Sequence, residues 1–263
     1  MSVIQANFYS VTLSHYVDVN VYIPSIQNGF AAMQSLTPAQ MHQKKQYPSL
    51  CLLHGLLDDH SSWMRFTRVE EYAEKKKMAL IMPSGANSFY VNSTIGRYFD
   101  FINEELPLWA EANFPLLSGR ENRYIAGLSM GGFGASLSAL TLPGNYAAFA
   151  TFSGAVDMKA TSSGPSGLVD YKAIFPDGVA DGGKYDLRAL AGKIIESNTP
   201  APRCFLGCGT DDFLYGMNTQ FVQYLDDIGY PVEYVKCPGG HEWRVWDFLV
   251  ERFLEWLPDA KQE

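Results

Sequence analysis

The feature that most constrains the fold of this chain is a serine placed between glycines, in the run GLSMGG at residues 127–132. The segment RYIA before it has the composition of a short buried strand, and the segment after it is rich in the small residues of a closely packed helix. Glycines are required at a sharp turn between strand and helix because side chains there would collide with both elements. Gly-x-Ser-x-Gly alone is a weak signal, and the alternative is an incidental serine in a glycine-rich turn. In this context the run predicts that Ser129 is held exposed as a nucleophile.

The remainder of the chain alternates between strand and helix patterns. Val17, Val19 and Val21 alternate with polar residues, which predicts a strand with one solvent-facing side, and Phe8–Leu13 is expected to be its antiparallel partner. Further strands are predicted at Ser49–Leu53, Ala79–Met82, Arg123–Gly127, Ala147–Phe152, Arg203–Gly209 and Val232–Lys236. Helices are predicted at Thr67–Lys77, at Phe101–Phe114 with an interruption at Pro107, and at Gly132–Leu142, Gly216–Ile228 and Glu242–Leu257. The alternation predicts an α/β fold: a mostly parallel sheet with an N-terminal antiparallel hairpin and helices on both faces.

The length and apolar content of the chain favour one domain. A chain of 263 residues with 47% apolar residues can bury a large core, so we expect a single α/β domain over residues 1–263. Residues 25–47 are polar and are expected to run over the surface. Residues 156–185 are irregular, with Gly, Ser and Pro and no clear period. This stretch is expected to be an insertion that is either a lid over the functional site or a disordered loop.

The charge and hydropathy of the chain exclude several classes of partner. A net charge of −8 argues against nucleic acid and anionic membrane surfaces, since both require clustered Lys and Arg. No apolar run reaches the length of a membrane span and the N-terminus has no signal-peptide pattern, so the expected location is the cytoplasm. Cys204 and Cys208 would be about 13 Å apart along one strand, which is too far for a disulfide. All four cysteines are predicted to be small buried hydrophobic residues in the reduced state.

A serine nucleophile needs a base, and the base needs an acid that orients it. After a nucleophile turn of this kind, the acid and then the histidine follow the serine along the chain. Asp211 and Asp212 follow one predicted strand, and His241 follows the next. Each of these residues lies at the carboxyl end of a strand, where open α/β sheets place their ligand sites. Ser129 and His241 are therefore candidates for nucleophile and base, with either aspartate as the acid.

The negative charge that develops on a substrate oxygen needs N–H donors that are already in place. One donor is expected to be the backbone N–H of Met130, directly after the serine. The run His54-Gly55-Leu56-Leu57 ends a predicted strand, at the place from which the second donor is drawn. We expect that donor to be the N–H of Leu56, with Leu57 as the other candidate. His54 itself is expected to hold this loop by a hydrogen bond.

Four motifs stand in order along the chain: LHGLLDDHSSW at residues 53–63, IAGLSMGG at 125–132, CGTDDFLY at 208–215 and GHEW at 240–243. Together they resemble the tributyrin esterase branch of the esterase D and S-formylglutathione hydrolase family of α/β-hydrolases. The resemblance spans nearly the whole chain, and four motifs in the correct order are far more specific than any one of them. It implies the α/β-hydrolase fold.

The resemblance also implies a serine carboxylesterase that hydrolyses short-chain acyl esters through an acyl-enzyme intermediate. Ser129, His241 and an aspartate would form its catalytic triad, with no metal or organic cofactor. In the family the acid stands third after the strand-end glycine and is followed by Phe-Leu, a spacing that Gly209 and Asp212 satisfy here. The resemblance therefore selects Asp212 as the acid.

Three alternatives to a short-chain esterase stay open from the sequence. Some relatives remove acetyl or feruloyl groups from plant carbohydrate. The S-formylglutathione hydrolases cleave a thioester and usually carry Thr-Cys in the oxyanion loop and a His in the helix after the serine. This chain has Leu57-Asp58 and Phe133 at those positions, which disfavours that thioesterase. A non-catalytic binding module is disfavoured because every catalytic residue type is present.

Aromatic residues in loops beside these motifs are candidates for lining a substrate pocket, although each could equally be a packing residue. They are Trp63, Phe89, Tyr90, Tyr215 and Trp243. The expected partner is a small-molecule ester, with no nucleic acid and no membrane. The sequence does not decide between a monomer and a homo-oligomer.

Overall fold

The computed structural model describes residues 1–25, 37, 45–163, 167–197 and 199–259. Its strands are β1 (Ser2–Ser10), β2 (His15–Ile23), β3 (Ser49–Leu53), β4 (Ala79–Pro83), β5 (Asn92–Ser93), β6 (Gly96–Arg97), β7 (Arg123–Leu128), β8 (Ala148–Phe152), β9 (Arg203–Gly209) and β10 (Val232–Cys237). Eight of these form one sheet in the order β1-β2-β4-β3-β7-β8-β9-β10, and β5 pairs only with β6. The part of residues 25–47 predicted to run over the surface lies mostly outside the described residues.

The sheet is antiparallel only at its N-terminal side. β1 and β2 form a hairpin with Ser10 opposite His15, and β2 runs antiparallel to β4. The predicted hairpin is confirmed, but its first strand is Ser2–Ser10 rather than Phe8–Leu13. Residues 11–14 form the turn instead, closed by a bond of 2.9 Å from the Ser14 N–H to the Ser10 carbonyl.

From β4 to β10 the strands are parallel, and helices cover both faces. The α-helices are α1 (Ser62–Phe66), α2 (Val69–Lys76), α3 (Tyr98–Asp100), α4 (Leu106–Asn113), α5 (Met130–Thr141), α6 (Met158–Ser163), α7 (Tyr171–Ile174), α8 (Leu187–Glu196), α9 (Tyr215–Asp227) and α10 (Trp243–Trp256). One hydrophobic core holds side chains of α4, α5, α8 and α9, and a second holds those of α1, α2 and α10. The prediction of a parallel sheet between two helical layers is confirmed.

Pro107 does not end the helical segment. Residues Phe101–Glu105 form a π-helical turn, in which the N–H of Leu106 donates to the carbonyl of Phe101, and α4 begins directly afterwards with Pro107 in its first turn. The interruption predicted at Pro107 is therefore a change from π-helical to α-helical hydrogen bonding rather than a break in the helix.

The stretch 156–185 is less irregular than its composition predicts, because it contains α6 and α7, and α8 follows it. Aspartates begin two of these helices: Asp170 accepts bonds from the N–H groups at the start of α7, and Asp186 does the same for α8. These capping bonds stabilise the first turns of α7 and α8, two helices that were not predicted from the sequence. That this segment closes over the site as a lid stays a prediction.

The four cysteines are free thiols, and three of them are buried. Cys51 on β3 is half-buried, and burial raises its thiol pKa to about 12. No helix in the described ranges is both long and apolar enough to cross a bilayer.

Candidate active site

Ser129 lies in a strained turn between β7 and α5. Its φ of 53° and ψ of −117° are values that non-glycine residues rarely adopt, so the surrounding contacts must hold the backbone there. The Ser129 N–H donates to the Phe152 carbonyl at 2.9 Å, and the Ser129 carbonyl accepts from Phe133 and Ala155 at 3.2 Å each. Its side chain remains partly accessible. This strained backbone thus presents one hydroxyl at the end of a central strand.

The glycines around Ser129 are required by backbone contacts. A Cβ on Gly131 would overlap the carbonyl oxygens of Leu53 and His54 at the end of β3, and a Cβ on Gly127 would overlap the backbone of Gly131. Neither neighbour can move as a flexible side chain would. This close approach brings the first turn of α5 against the loop that follows β3.

His241 and Asp212 form a direct pair at the ends of β10 and β9. The Nδ1 of His241 lies 2.9 Å from Oδ2 of Asp212; the carboxylate is fully buried and the imidazole is 21% exposed. Burial alone would raise the pKa of Asp212, but bonds from His241, from the Leu214 N–H and from Ser153 outweigh it and lower that pKa. Asp211 is exposed on the other side of the turn. Of the two aspartates, only Asp212 contacts the histidine.

Ser153 is a site residue that the sequence analysis missed. It follows β8, is fully buried, has a φ of 48°, and donates a hydrogen bond to Asp212. Its N–H bonds to the Gly207 carbonyl at 2.8 Å, which fixes the end of β8 against β9. The available signal was its position at the carboxyl end of the strand between the serine strand and the aspartate strand. Ser153 therefore adds to the bonds from His241 and the Leu214 N–H that favour the ionised form of the buried carboxylate.

The strand ends that carry these residues are joined by backbone bonds beyond the sheet. The Asp211 N–H donates to the Gly239 carbonyl at 3.0 Å, and the Thr210 N–H donates to that of Cys237 at 2.9 Å. Ser129, Asp212 and His241 consequently lie on the side of the sheet where the parallel strands have their carboxyl ends. Within the described residues, the Ser129 hydroxyl makes no hydrogen bond to His241. In unliganded enzymes the contact between nucleophile and base is often longer than in the substrate complex.

The loop after β3 lies beside Ser129. A Cβ built on Gly55 would be 3.7 Å from the Ser129 Cβ. The Leu57 N–H already donates to Oδ1 of Asn87 at 2.9 Å. In the described part of the chain the Leu56 N–H has no acceptor, and that of Met130, at the first position of α5, has none within its helix. Of the two candidate donors in this loop, the geometry favours Leu56.

His54 is the support of that loop. Its Nδ1 lies 2.7 Å from the Gly55 carbonyl, and its Nε2 accepts the Gly85 N–H at 2.8 Å. A carbonyl only accepts and an amide N–H only donates, so the ring is neutral with its proton on Nδ1. Burial lowers the pKa of His54 to about 4 against the opposing bond to Gly55. The expected structural role of this histidine fits these contacts.

Three of the five predicted pocket residues are core residues. Trp63 is 1% exposed and donates from Nε1 to the Leu53 carbonyl at 3.1 Å. Tyr90 is fully buried and its hydroxyl donates to the His54 carbonyl at 3.1 Å. Phe89 is buried against Phe133. These contacts pack the three rings into the core, and that they line a substrate pocket stays a prediction.

Tyr215 and Trp243 are half-buried. Trp243 packs edge-on against Trp63 and Trp246, which makes it mainly a packing residue. The exposed apolar side chains at the site are instead Leu57 in the loop after β3 and Phe213 beside the histidine, at 67% and 77% exposure.

Aromatic rings hold the imidazole of His241 from two directions. The ring of Phe213 lies 4.6 Å away and that of Trp246 lies 4.9 Å away in an edge-on arrangement. Trp246 is buried, and its Nε1 has no hydrogen-bond partner among the described residues. Together with Asp212 these rings restrict the rotation of the imidazole.

A half-buried carboxylate, Asp58, also stands near the serine. Its Oδ2 lies 3.5 Å from the position of a Cβ on Gly55, and its Oδ1 accepts from Ser62 at 3.2 Å. Burial raises the pKa of Asp58. Across the described residues no group of three or more His, Cys, Asp or Glu side chains is arranged to hold a metal ion.

Comparisons with known proteins show the family to which this chain belongs. The model of the family described as "Putative esterase" matches residues 31–257. An acetyl esterase of Caldicellulosiruptor saccharolyticus is 28% identical over 271 aligned positions, which cover 98% of this chain and 98% of that protein.

Two solved structures from Staphylococcus aureus share 30% sequence identity with this chain and cover 97% of it and 98% of their own chains. One is the fluorophosphonate-binding serine hydrolase FphF, with a TM-score of 0.86, and the other is the S-formylglutathione hydrolase FrmB, with a TM-score of 0.83. The fold is therefore that of the α/β-hydrolase esterases.

Proposed function

This chain belongs to the Esterase family and is a carboxylic ester hydrolase, and on that premise we propose that it hydrolyses short-chain oxygen esters through a Ser129–His241–Asp212 triad. The observation that carries the proposal is the placement of a strained, partly accessible Ser129 and the His241–Asp212 pair, with its buried carboxylate, at the carboxyl ends of the parallel strands. Strain of this kind is retained where the surrounding structure imposes it, and it clusters at catalytic sites.

Each group has a chemical task in this reaction. His241 takes the proton of Ser129 through Nε2 while Nδ1 stays bonded to Asp212, and the serine oxygen attacks the ester carbonyl. The tetrahedral oxyanion accepts hydrogen bonds from the N–H groups of Met130 and Leu56. His241 then protonates the leaving alcohol, and a water activated by the same histidine hydrolyses the acyl-enzyme.

The lowered pKa of Asp212 supports the role proposed for this carboxylate. The carboxylate stays ionised at neutral pH, where it stabilises the imidazolium that forms in each step. It also fixes the tautomer, since a carboxylate accepts the Nδ1 proton and leaves Nε2 free to act as a base.

The surroundings of Ser129 support a small and neutral substrate. The aromatic residues that could have formed a deep acyl pocket, Phe89 and Tyr90, are packed into the core. Leu57 and Phe213 remain as a shallow apolar surface for a short acyl or alcohol group. The 28% identical relative that is named an acetyl esterase supports the same substrate class. On these grounds we propose that the chain belongs to the tributyrin esterase branch of its family.

A second candidate is hydrolysis of S-formylglutathione, and similarity to the S. aureus hydrolase of that name favours it. Asp58 argues against it. Glutathione thioesters carry a net negative charge at neutral pH, and a half-buried carboxylate next to the oxyanion loop would repel them. The two candidates thus differ in how the enzyme should respond to removal of this charge.

Turnover of a panel of substrates tests the proposal. The panel contains oxygen esters graded from acetyl to long acyl chains, acetylated sugars, a feruloyl ester and S-formylglutathione, and a fluorophosphonate is used to label the nucleophile. We expect acetyl to butyryl oxygen esters to give the highest kcat/KM and the label to be found on Ser129. A label on another residue would refute the triad, and a clear preference for S-formylglutathione would select the second candidate. Asp58→Asn should raise relative thioester turnover, and Asp59→Asn is the matched control.

A further inference from the structure

One long edge of the central sheet has no neighbour among the residues that the structure describes. The nine residues of β1 pair with β2 on one side only, because β1 stands first in the strand order. In the described ranges, the N–H and C=O groups on its outer side pair with no other strand. Such an edge is a template for another strand.

The two edges of the sheet differ in how they are protected. The opposite edge strand, β10, has six residues and includes Glu233 and Lys236, and charges of this kind discourage strand pairing. β1 has the sequence SVIQANFYS, without a charged residue or a proline. In a chain with a net charge of −8, an uncharged edge of this length lacks the usual devices against association.

Exposed large apolar side chains are concentrated around this edge. They are Met1, Val3, Tyr9, Val11, Tyr16 and Leu108. Glu105 joins the hairpin to the neighbouring helix, since its carboxylate accepts the N–H groups of Val11 and Thr12 at 2.8 and 3.0 Å. Leu108 lies about one helical turn after Glu105. Val3 and Tyr9 lie on the exposed face of β1, whereas the helix that carries Leu108 packs against the opposite face through the stacked rings of Phe8 and Trp109. Exposed apolar side chains therefore flank the β1 edge on both faces of the sheet, and such side chains are common at protein–protein contacts.

We propose that the β1 edge binds the β1 edge of a second copy of this chain, antiparallel and with a two-fold axis at Ala6. The strand is self-complementary in this register, because each residue meets one of its own chemical type. The facing pairs are Ser2 with Ser10, Val3 with Tyr9, Ile4 with Phe8, Gln5 with Asn7, and Ala6 with itself. The partner that this edge fits is thus another copy of the same strand.

The proposed contact closes at two copies. Each chain offers one unprotected edge, and the other edge carries charge, so the two sheets join into one continuous sheet without growing further. β1 is four strands away from β7, or roughly 19 Å at the usual strand spacing. Pairing at β1 leaves Ser129 and its neighbours untouched, and the inference is independent of the proposed reaction.

Two double variants test both the surface and its register. Gln5→Lys with Asn7→Lys places lysine opposite lysine twice across the two-fold axis. Gln5→Glu with Asn7→Lys places glutamate opposite lysine at the same positions. Gln5 and Asn7 are exposed, and a lysine in place of Asn7 would face Asp18 of its own hairpin, so both variants are expected to fold. Thermal midpoint and ester turnover, each expected to match the wild type, check this.

Sedimentation velocity from low to high micromolar concentration measures the association. We expect the wild type to sediment as two chains of 29.3 kDa each. The lysine pair should weaken the dimer by roughly tenfold or more, and the glutamate–lysine pair should restore it. Amide exchange in β1 should be slower in the dimer than in the lysine variant. A wild type that stays a single chain throughout, a lysine variant that dimerises as the wild type does, or a failure of the charge-reversed variant to dimerise would each overturn the proposal.

Discussion

His54 and His241 each lie beyond the carboxyl end of a parallel strand, yet their surroundings differ. His54 is buried, both of its ring nitrogens are bonded to backbone groups, and burial lowers its pKa to about 4. His241 is partly exposed, is bonded to a carboxylate through one nitrogen and keeps the other available. A histidine with both nitrogens fixed can only support a loop, whereas one with a free nitrogen can carry a proton.

Removing each imidazole in turn tests whether the two histidines have different roles. His241→Ala should reduce turnover by several orders of magnitude, on the order of 10⁶ by analogy with other triads, and leave the thermal midpoint unchanged. His54→Ala should instead lower the free energy of unfolding by roughly 2–4 kcal/mol, because it creates a cavity and leaves the Gly85 N–H unpaired. Turnover and thermal unfolding are measured on both variants. A stable and active His54→Ala protein would show that the loop does not need this support.

The next largest effect separates the two aspartates. Asp212→Asn should preserve the geometry but favour the wrong tautomer of His241, with a loss on the order of 10⁴ in kcat. Asp211→Asn, its matched control, should lose less than about tenfold, since the exposed side chain does not contact the histidine. Both are assayed on one short ester. A severe defect in Asp211→Asn beside a mild one in Asp212→Asn would reverse the assignment of the acid.

The lowered pKa of His54 predicts that the folded protein loses stability in acid. The pKa of His54 is about 4 in the folded protein and about 6.5 when unfolded, so between these values only the unfolded chain takes up the proton. The free energy of unfolding should therefore fall as the pH drops from about 6.5 to about 4, by roughly 3 kcal/mol in total. Asp212 has a lowered pKa, and its stabilising contribution is lost only below its unfolded value of about 4.

Denaturant unfolding across this pH range measures the effect. His54→Gln keeps one donor and one acceptor without a titratable group, so we expect its stability to change less over the same window. An equal slope in wild type and His54→Gln would assign the acid sensitivity to another group.

The smallest expected effect concerns the rings around His241. Trp246→Phe keeps an aromatic ring but makes the edge-on contact with His241 smaller, and Phe213→Leu removes the second aromatic contact. Each contact is worth about 0.5–1.5 kcal/mol, so a loss of roughly two- to tenfold in kcat/KM is expected. The split between kcat and KM distinguishes positioning from packing, because a loosened imidazole should lower kcat with little effect on KM. An unchanged kcat with a lowered thermal midpoint would assign Trp246 to packing alone.

The sequence was most informative where a candidate catalytic residue lies in a turn, or at a strand end, that also has a recognisable backbone pattern. The turn at Ser129 requires glycines at 127 and 131, and the strands that precede Asp212 and His241 have clear apolar patterns, so the strand ends could be predicted. Periodicity could have found α8, because Leu187, Ala191 and Ile194 recur at i, i+4 and i+7 on its buried face, but this helix was overlooked. Periodicity could not separate a pocket residue from a core residue at Trp63. That distinction depends on a bond to the Leu53 carbonyl, which only the tertiary structure reveals.

Turnover of Ser129→Ala on a short oxygen ester tests directly whether Ser129 is the catalytic nucleophile. Ser136→Ala, on the same helix and bonded only to the Gly132 carbonyl, is the matched control and should stay within a few-fold of the wild type. Ser129→Ala should unfold at the wild-type temperature and lose several orders of magnitude in turnover, because the remaining rate comes only from binding and the oxyanion donors. A folded Ser129→Ala protein that keeps more than roughly a tenth of wild-type turnover would contradict the account.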